Sequence, residues 1–468
     1  MTNFFRCTAR AGIIAIALGS VALPQQPETT QPLSGNTSST TQFVPFDKFL
    51  ADSSDNGINI AATAKVANTA ALTEMRDHIT KMYQGVHVTH SFVQGSQTYD
   101  CIPVEQQPSL RMAGSQGIAA PPTAPRQVPG TAAGAAAAFL EQTGKAAQAS
   151  LLPAAAVDGF GNATACEDHT VPIQRTTVEQ ISRFSTLRAF LSKSPDGKGM
   201  PPVPLKPGAA PSTKPAPPSF GAHFHDYTYQ NVRNLGGNSN INIWDPGVAT
   251  IWGEVFSLSQ VWYLGLSSTG TLQTVEAGWQ SYPGRLGDGN PHLFVYFTAD
   301  GYNKTGCYDH SCSGFVQYSS RVFPGVALPR SIPTGNQTEI ATLWQWWSGN
   351  WWLSVNGEWI GYYPGSLFGT GEMATHSSWI EYGGEILAGQ GTSYVYNPEM
   401  GSGSYAQNGF QIAAYQRQIW YFDALGSRQP ASLSGVNECP AGTSIVGPYN
   451  GGPYWGIYFF FGGPGGFC

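Results

Sequence analysis

Tryptophan is absent from the first 243 residues of this 468-residue chain, and all thirteen lie between Trp244 and Trp455. Because tryptophan suits large apolar contacts that keep a polar handle, the chain has two unlike halves. Charge is scarce: 11% of residues are Asp, Glu, Lys or Arg, low for a globular protein. From residue 220 onward seven Lys/Arg face fifteen Asp/Glu. With no basic patch anywhere, nucleic acid and anionic membrane surfaces are excluded as partners. No Gly-x-Ser-x-Gly elbow and no His-Glu-x-x-His helix occurs, which removes two common hydrolase chemistries. What is abundant is turn-forming residue, 56 Gly and 34 Pro beside 41% apolar residues, and turn-rich β structure follows.

The first residues carry Arg6 and Arg10, an apolar stretch over 11–18 and the small set Ser20-Val21-Ala22. This is the form of a secretory signal, expected over 1–22; no later stretch is long and apolar enough to span a bilayer. A secreted, extracellular protein is expected. Losing Cys7 with the signal leaves six cysteines, an even number that implies disulfides in an oxidising compartment. Locality favours Cys101 with Cys166, Cys307 with Cys312 and Cys439 with Cys468. A zinc site at Cys307 and Cys312 lacks a companion ligand pair, so no metal is expected. Asn36, Asn162, Asn303 and Asn336 stand in glycosylation sequons.

Residues 25–45 read as a disordered lead-in rich in Gln, Thr, Ser and Pro. Leu72, Met75, Ile79 and Met82 predict a helix over 68–83, whereas 113–157 read as a loose Ala/Gly/Pro-rich insertion. Thr176 to Glu179 has capping-box spacing ahead of a helix face of Val178, Ile181, Phe184, Leu187 and Leu191. Proline then dominates 201–219, an extended stretch open to proteolysis that reads as a linker. Beyond residue 240, alternating runs at 271–280, 293–297, 351–355, 379–386 and 454–460 are separated by Gly, Pro, Asn and Asp turns. Such spacing predicts an all-β antiparallel sandwich, preceded by a smaller α+β region.

Two carboxylates stand out in these strands. Alternation puts Val275, Ala277 and Trp279 on one face, and Glu276 and Gln280 on the other with Gly278 between them, leaving room for a ligand. In the second run Ile380, Tyr382 and Ile386 form the apolar face, and Trp379, Glu381, Gly383 and Glu385 the opposite one. Two close carboxylates share a proton, so one donates while the other accepts from water. That pair would hydrolyse an amide directly and in acid. An arbitrary strand glutamate is nonetheless most often a solvated one. The histidines His223, His225, His292, His310 and His376 are scattered and read as surface or satisfied residues rather than a triad.

The chain resembles the neprosin-like glutamic endopeptidases. The resemblance runs through Ile241-Asn242-Ile243-Trp244-Asp245-Pro246, Phe256 to Trp262, Val275 to Gln280, Phe297 to Tyr302, Thr305 to Tyr308, Cys312 to Val316, Gly349 to Leu353, Gly383-Gly384-Glu385-Ile386, Met400 to Gly403 and Trp455 to Tyr458. The first half is similar to the family's propeptide through Asp100-Cys101-Ile102, Gln107-Pro108 and Thr170 to Ile173, but departs in its Ala/Gly/Pro-rich insertion. The resemblance implies a secreted zymogen with a propeptide over 23–200 and a catalytic domain over 220–468. It implies acid-active cleavage on the carboxyl side of proline, with no metal or cofactor. Peptides containing proline would be its substrates and its own propeptide its inhibitor. The catalytic glutamates fall on Glu276 and Glu385, with Glu381 a rival for the second role and Gln280 and Trp379 as substrate contacts. A sugar-processing or lectin-like sandwich is the alternative class, and an adhesive surface protein a third.

Overall fold

Strand alternation in the second half builds two stacked antiparallel sheets. A computed structural model describes residues 43–54, 64–113, 117–123, 146–148, 151, 156–195, 223–388 and 396–468. The expected signal, Cys7, Asn36, the linker at 201–219 and most of the lead-in and of the 113–157 insertion lie outside these residues. Residues 43–468 form one unit.

The first sheet has six strands in the order Ser434–Asn437, His223–Asn234, Ser377–Ala388, Glu254–Leu266, Leu272–Ser281 and His292–Thr298. The second is built around Gln337–Trp347, Gly236–Asn242, Ala414–Phe422 and Ile457–Gly462. Val275, Ala277 and Trp279, with Ile380, Tyr382 and Ile386, point from the first sheet into the space between the two. There they meet Trp344, Trp351, Phe459 and Phe461. The Trp279 indole N–H donates to the carbonyl of Asn242 at 2.8 Å, tying one sheet to the other. The antiparallel sandwich and its core face are therefore those the alternation predicts.

All three expected disulfides form: Cys101–Cys166, Cys307–Cys312 and Cys439–Cys468. The first staples a small three-stranded sheet of His90–Gln94, Gln97–Pro103 and Thr170–Gln174 in the N-terminal region. The third holds the chain terminus.

The outer face of the six-stranded sheet is also apolar, because the N-terminal region covers it. Met75, Ile79 and Met82 of the Thr69–Tyr83 helix pack there with Ile181, Phe184 and Phe190 against Phe256, Leu258, Trp262, Tyr282, Phe294, Tyr296 and Tyr308. Each such side chain contributes roughly 1.5–3 kcal/mol when fully buried, so the cover is a true core. The segment after residue 176 differs from expectation. The capping box is formed by Thr177 with Gln180, one position later, and the single helix is two short ones, Val178–Ile181 and Leu187–Leu191. Thr186 caps the second through a bond from Ala189 N–H, and that restart redirects the chain toward the sheet.

Candidate active site

Glu276 and Glu385 lie on this covered face, on strands flanking Glu254–Leu266. Glu276 is in register with Trp262, and Glu385 with Leu258. Gln260, midway between those two partners, projects from the same face. The glutamates thus sit diagonally about one glutamine, whose Nε2 donates to Glu385 Oε2 at 2.7 Å. Both carboxylates are fully buried.

Between them sits the ammonium of Lys193, delivered by the residues that follow the Leu187–Leu191 helix. Its Nζ is 2.6 Å from Glu276 Oε2 and 2.8 Å from Glu385 Oε2, and it donates to Gln260 Oε1 at 3.2 Å. Burial alone would lower the lysine pKa, but the charges of Glu276 and Glu385 outweigh it and raise it. The site is closed and charged.

The two carboxylates are held differently. Glu276 Oε1 accepts from the hydroxyls of Thr274 and Tyr302, each at 2.7 Å. Glu385 Oε1 is 2.5 Å from His223 Nδ1, and its Oε2 is 3.7 Å from His225 Nε2. Burial acts to raise the Glu385 carboxyl, but Lys193, His225 and hydrogen bonds from both histidines hold it well below the usual range. Burial lowers His223; a neutral ring facing an ionised Glu385 carries its proton on Nδ1, and Nε2 then accepts from Ser194 Oγ at 2.8 Å. His225 is the opposite case: burial lowers it, yet Glu438 and Glu385 push it up to about 10.

These histidines correct the reading of them as scattered. Two of the five converge on Glu385, because a His-x-His pair in the strand His223–Asn234 presents both rings on one face. That spacing was the available signal. Gln260 and Tyr302 were inside blocks singled out for resemblance, but nothing local marks a glutamine or tyrosine as a carboxylate partner. Lys193 had no signal at all.

The other expected site residues fall in distinct places. Glu381 is in register with Trp262, like Glu276 on the other side, so the indole stands between them. Burial pushes Glu381 up to about 8, with His225 opposing, and no ion pair joins it to Lys193 among the described residues. Gln280 lies on the glutamate face, buried, with neither amide atom hydrogen-bonded among the described residues. Trp379 is buried in the outer apolar cluster, six residues and about 20 Å along its strand from Glu385. Gly278 does not open space for a ligand: a Cβ there would stand 1.9 Å from the carbonyl oxygen of Ser259, so its lack of a side chain serves the approach of two strands. His90, Cys101 and Glu167 cluster in the N-terminal region, but the Cys101 sulfur is spent in its disulfide and offers no thiolate.

A match to the Neprosin family model covers residues 253–464. The chain carries a neprosin domain. That match suggests a peptidase or hydrolase at the level of the family. The matched stretch of the neprosin domain contains Glu276, Glu385, Gln260 and Tyr302, whereas Lys193, His223 and His225 precede it. Among solved structures the chain is similar to a homodimeric agglutinin from chicken liver, at 10% identity and a TM-score of 0.19 over 35% of this chain and 95% of that one. A beta-porphyranase from the human gut bacterium Bacteroides plebeius matches at 8% identity and 0.18, over 33% and 53%.

Proposed function

We propose that this chain is the latent, secreted precursor of an acid-acting glutamic endopeptidase that cuts on the carboxyl side of proline. The observation that carries the proposal is the Lys193 ammonium seated on both Glu276 and Glu385, from a segment outside the neprosin domain. A cation there satisfies two buried carboxylates and fills the place where a water and a scissile carbonyl would have to stand. Removing the segment empties the cleft and leaves the pair sharing a proton.

The surroundings of the pair divide the labour. Glu385 keeps His223, His225 and Gln260 after Lys193 departs, so it stays ionised and takes a proton from the attacking water. Glu276 has its Oε1 occupied by two hydroxyl donors, which leaves Oε2 to carry the proton. From there it donates to the carbonyl oxygen as water adds to the carbon. The proton on Glu385 then passes to the departing nitrogen as the C–N bond breaks, one hydroxyl of the tetrahedral diol returns its proton to Glu276 as the product carboxyl forms, and both side chains are back in their starting states without a covalent intermediate. Work in acid follows from two close carboxylates that must share one proton to act as a pair. Preference for proline rests on the family resemblance.

The test is digestion of a proline-containing peptide by the secreted chain after incubation at about pH 4, below the range where a shared proton is lost. Cleavage after proline that Glu276→Gln and Glu385→Gln each abolish in folded protein is expected. An inert wild type that instead binds or cleaves a soluble glycan would turn the assignment to the sugar-processing class.

A further inference from the structure

We propose that Arg285 is a substrate-binding residue that reads one aromatic residue of a bound peptide twice, through its ring and through its backbone carbonyl. This rests on the peptidase reading above and names a subsite of that cleft.

Arg285 lies in the turn Pro283–Leu286 that follows the Glu276 strand, and it is 4% exposed. No carboxylate is within ion-pair distance of it among the described residues. Asp309 acts on it only from beyond that distance, and a buried guanidinium without a direct ion pair is costly unless its donors and faces are otherwise met. Two partners belong to the sandwich: Nη2 donates to Ser311 Oγ at 2.6 Å, and the Tyr308 ring centroid lies 4.7 Å from the guanidinium carbon. Both residues sit in the loop closed by Cys307–Cys312, a constraint that belongs to the sandwich and stays when the cover leaves, although His78 of the cover also meets the Ser311 carbonyl at 2.7 Å.

The remaining two partners come from a single residue of the N-terminal region. Phe190 stacks its ring on the guanidinium at 4.3 Å, and its carbonyl accepts from Nη1 at 2.7 Å. Phe190 is three positions before Lys193, on the segment that occupies the carboxylate pair. When that segment leaves, Arg285 keeps Tyr308 and Ser311 but loses the ring and the acceptor together. What remains is an oriented cation with one face and the Nη1–H newly opened, a complement to an aromatic residue in extended peptide. A substrate lying in the same sense as residues 190–194 places that residue about three positions on the amino side of the bond cut.

The test walks a single Phe through the positions amino-terminal to proline in an otherwise Gly/Ala peptide, using the full-length chain after acid processing. A stacked ring with a charge-assisted hydrogen bond predicts a KM about tenfold lower at one position, with kcat little changed. In Arg285→Met, the ratio of that peptide to its Phe-free counterpart falls to about unity, a comparison made within one enzyme sample and so independent of its yield. Cleavage of the Phe-free peptide with no gain from Phe at any amino-side position overturns the subsite alone. A gain that survives Arg285→Met unchanged also overturns it. No cleavage of either peptide by processed wild type overturns the peptidase reading and the subsite with it.

Discussion

Lys193 Nζ donates to Glu385 Oε2 at 2.8 Å across 192 positions of sequence, with both side chains out of solvent. Breaking a buried pair by removing one partner costs about 3–5 kcal/mol, less whatever the facing carboxyls recover by taking up a proton. Lys193→Met is therefore expected to loosen the N-terminal cover at neutral pH. Limited proteolysis of the full-length chain at pH 7 should cut it faster than wild type, with peptide hydrolysis appearing earlier on acidification. A variant as resistant and as latent as wild type would sink the latch.

The same pair sets an acid limit on stability. The folded pKa of Glu385 is depressed below 4.5, so its contribution is present above that value and lost as pH falls through the folded one. His225, raised to about 10, contributes fully below 6.5 and loses its contribution as pH climbs through 10. Thermal unfolding of the full-length chain should show its midpoint dropping in strong acid. In Glu385→Gln that acid limb should be much shallower; an unchanged limb would assign it to other groups.

Glu381 acts in the opposite sense. Its folded pKa is raised to about 8, so the stability linked to its neutral form is complete below 4.5 and lost as pH rises through 8. Glu381→Gln cannot ionise and is expected to raise the unfolding midpoint at pH 8 relative to wild type, with little change at pH 4. Equal effects at both pH values would mean that Glu381 does not titrate in this window.

Gly278 stands where two paired strands leave no room for a side-chain carbon. A Cβ there would meet Ser259 O at 1.9 Å and Gln260 Cα at 2.7 Å, neither of which can move without parting the strands that carry Gln260 and Glu276. Gly278→Ala should destabilise the chain by about 3 kcal/mol, read as a lowered unfolding midpoint or lost secretion. Gly289→Ala, with nothing within 4 Å of its added carbon, is the control and should leave both unchanged.

Much of the architecture was legible because it follows from local rules. Period-two alternation assigned Val275, Ala277 and Trp279 to the core and Glu276 to the opposite face, and the fold keeps that arrangement. Cysteine proximity named all three disulfides. The helix over 68–83 followed from apolar spacing, and Asn68 caps it as Thr69–Tyr83. Where the reading slipped, local signals competed: Thr176 and Thr177 are both capable caps, and the chain used the second.

The sequence by itself determined the sandwich, its core face, its disulfides and the two glutamates as candidates, because each depends on neighbours one, two or four positions away or on an even count of cysteines. Only the tertiary structure decided what surrounds those glutamates. Lys193, Gln260, His223, His225 and Tyr302 come from separate segments, and no periodicity relates a lysine after one short helix to carboxylates on two distant strands. What brings them together is the burial of an apolar sheet face under the N-terminal region. Once that face is covered, each buried carboxylate must find a cation or a donor or, like Glu381, hold its proton, and the chain supplies partners from wherever the packing places one.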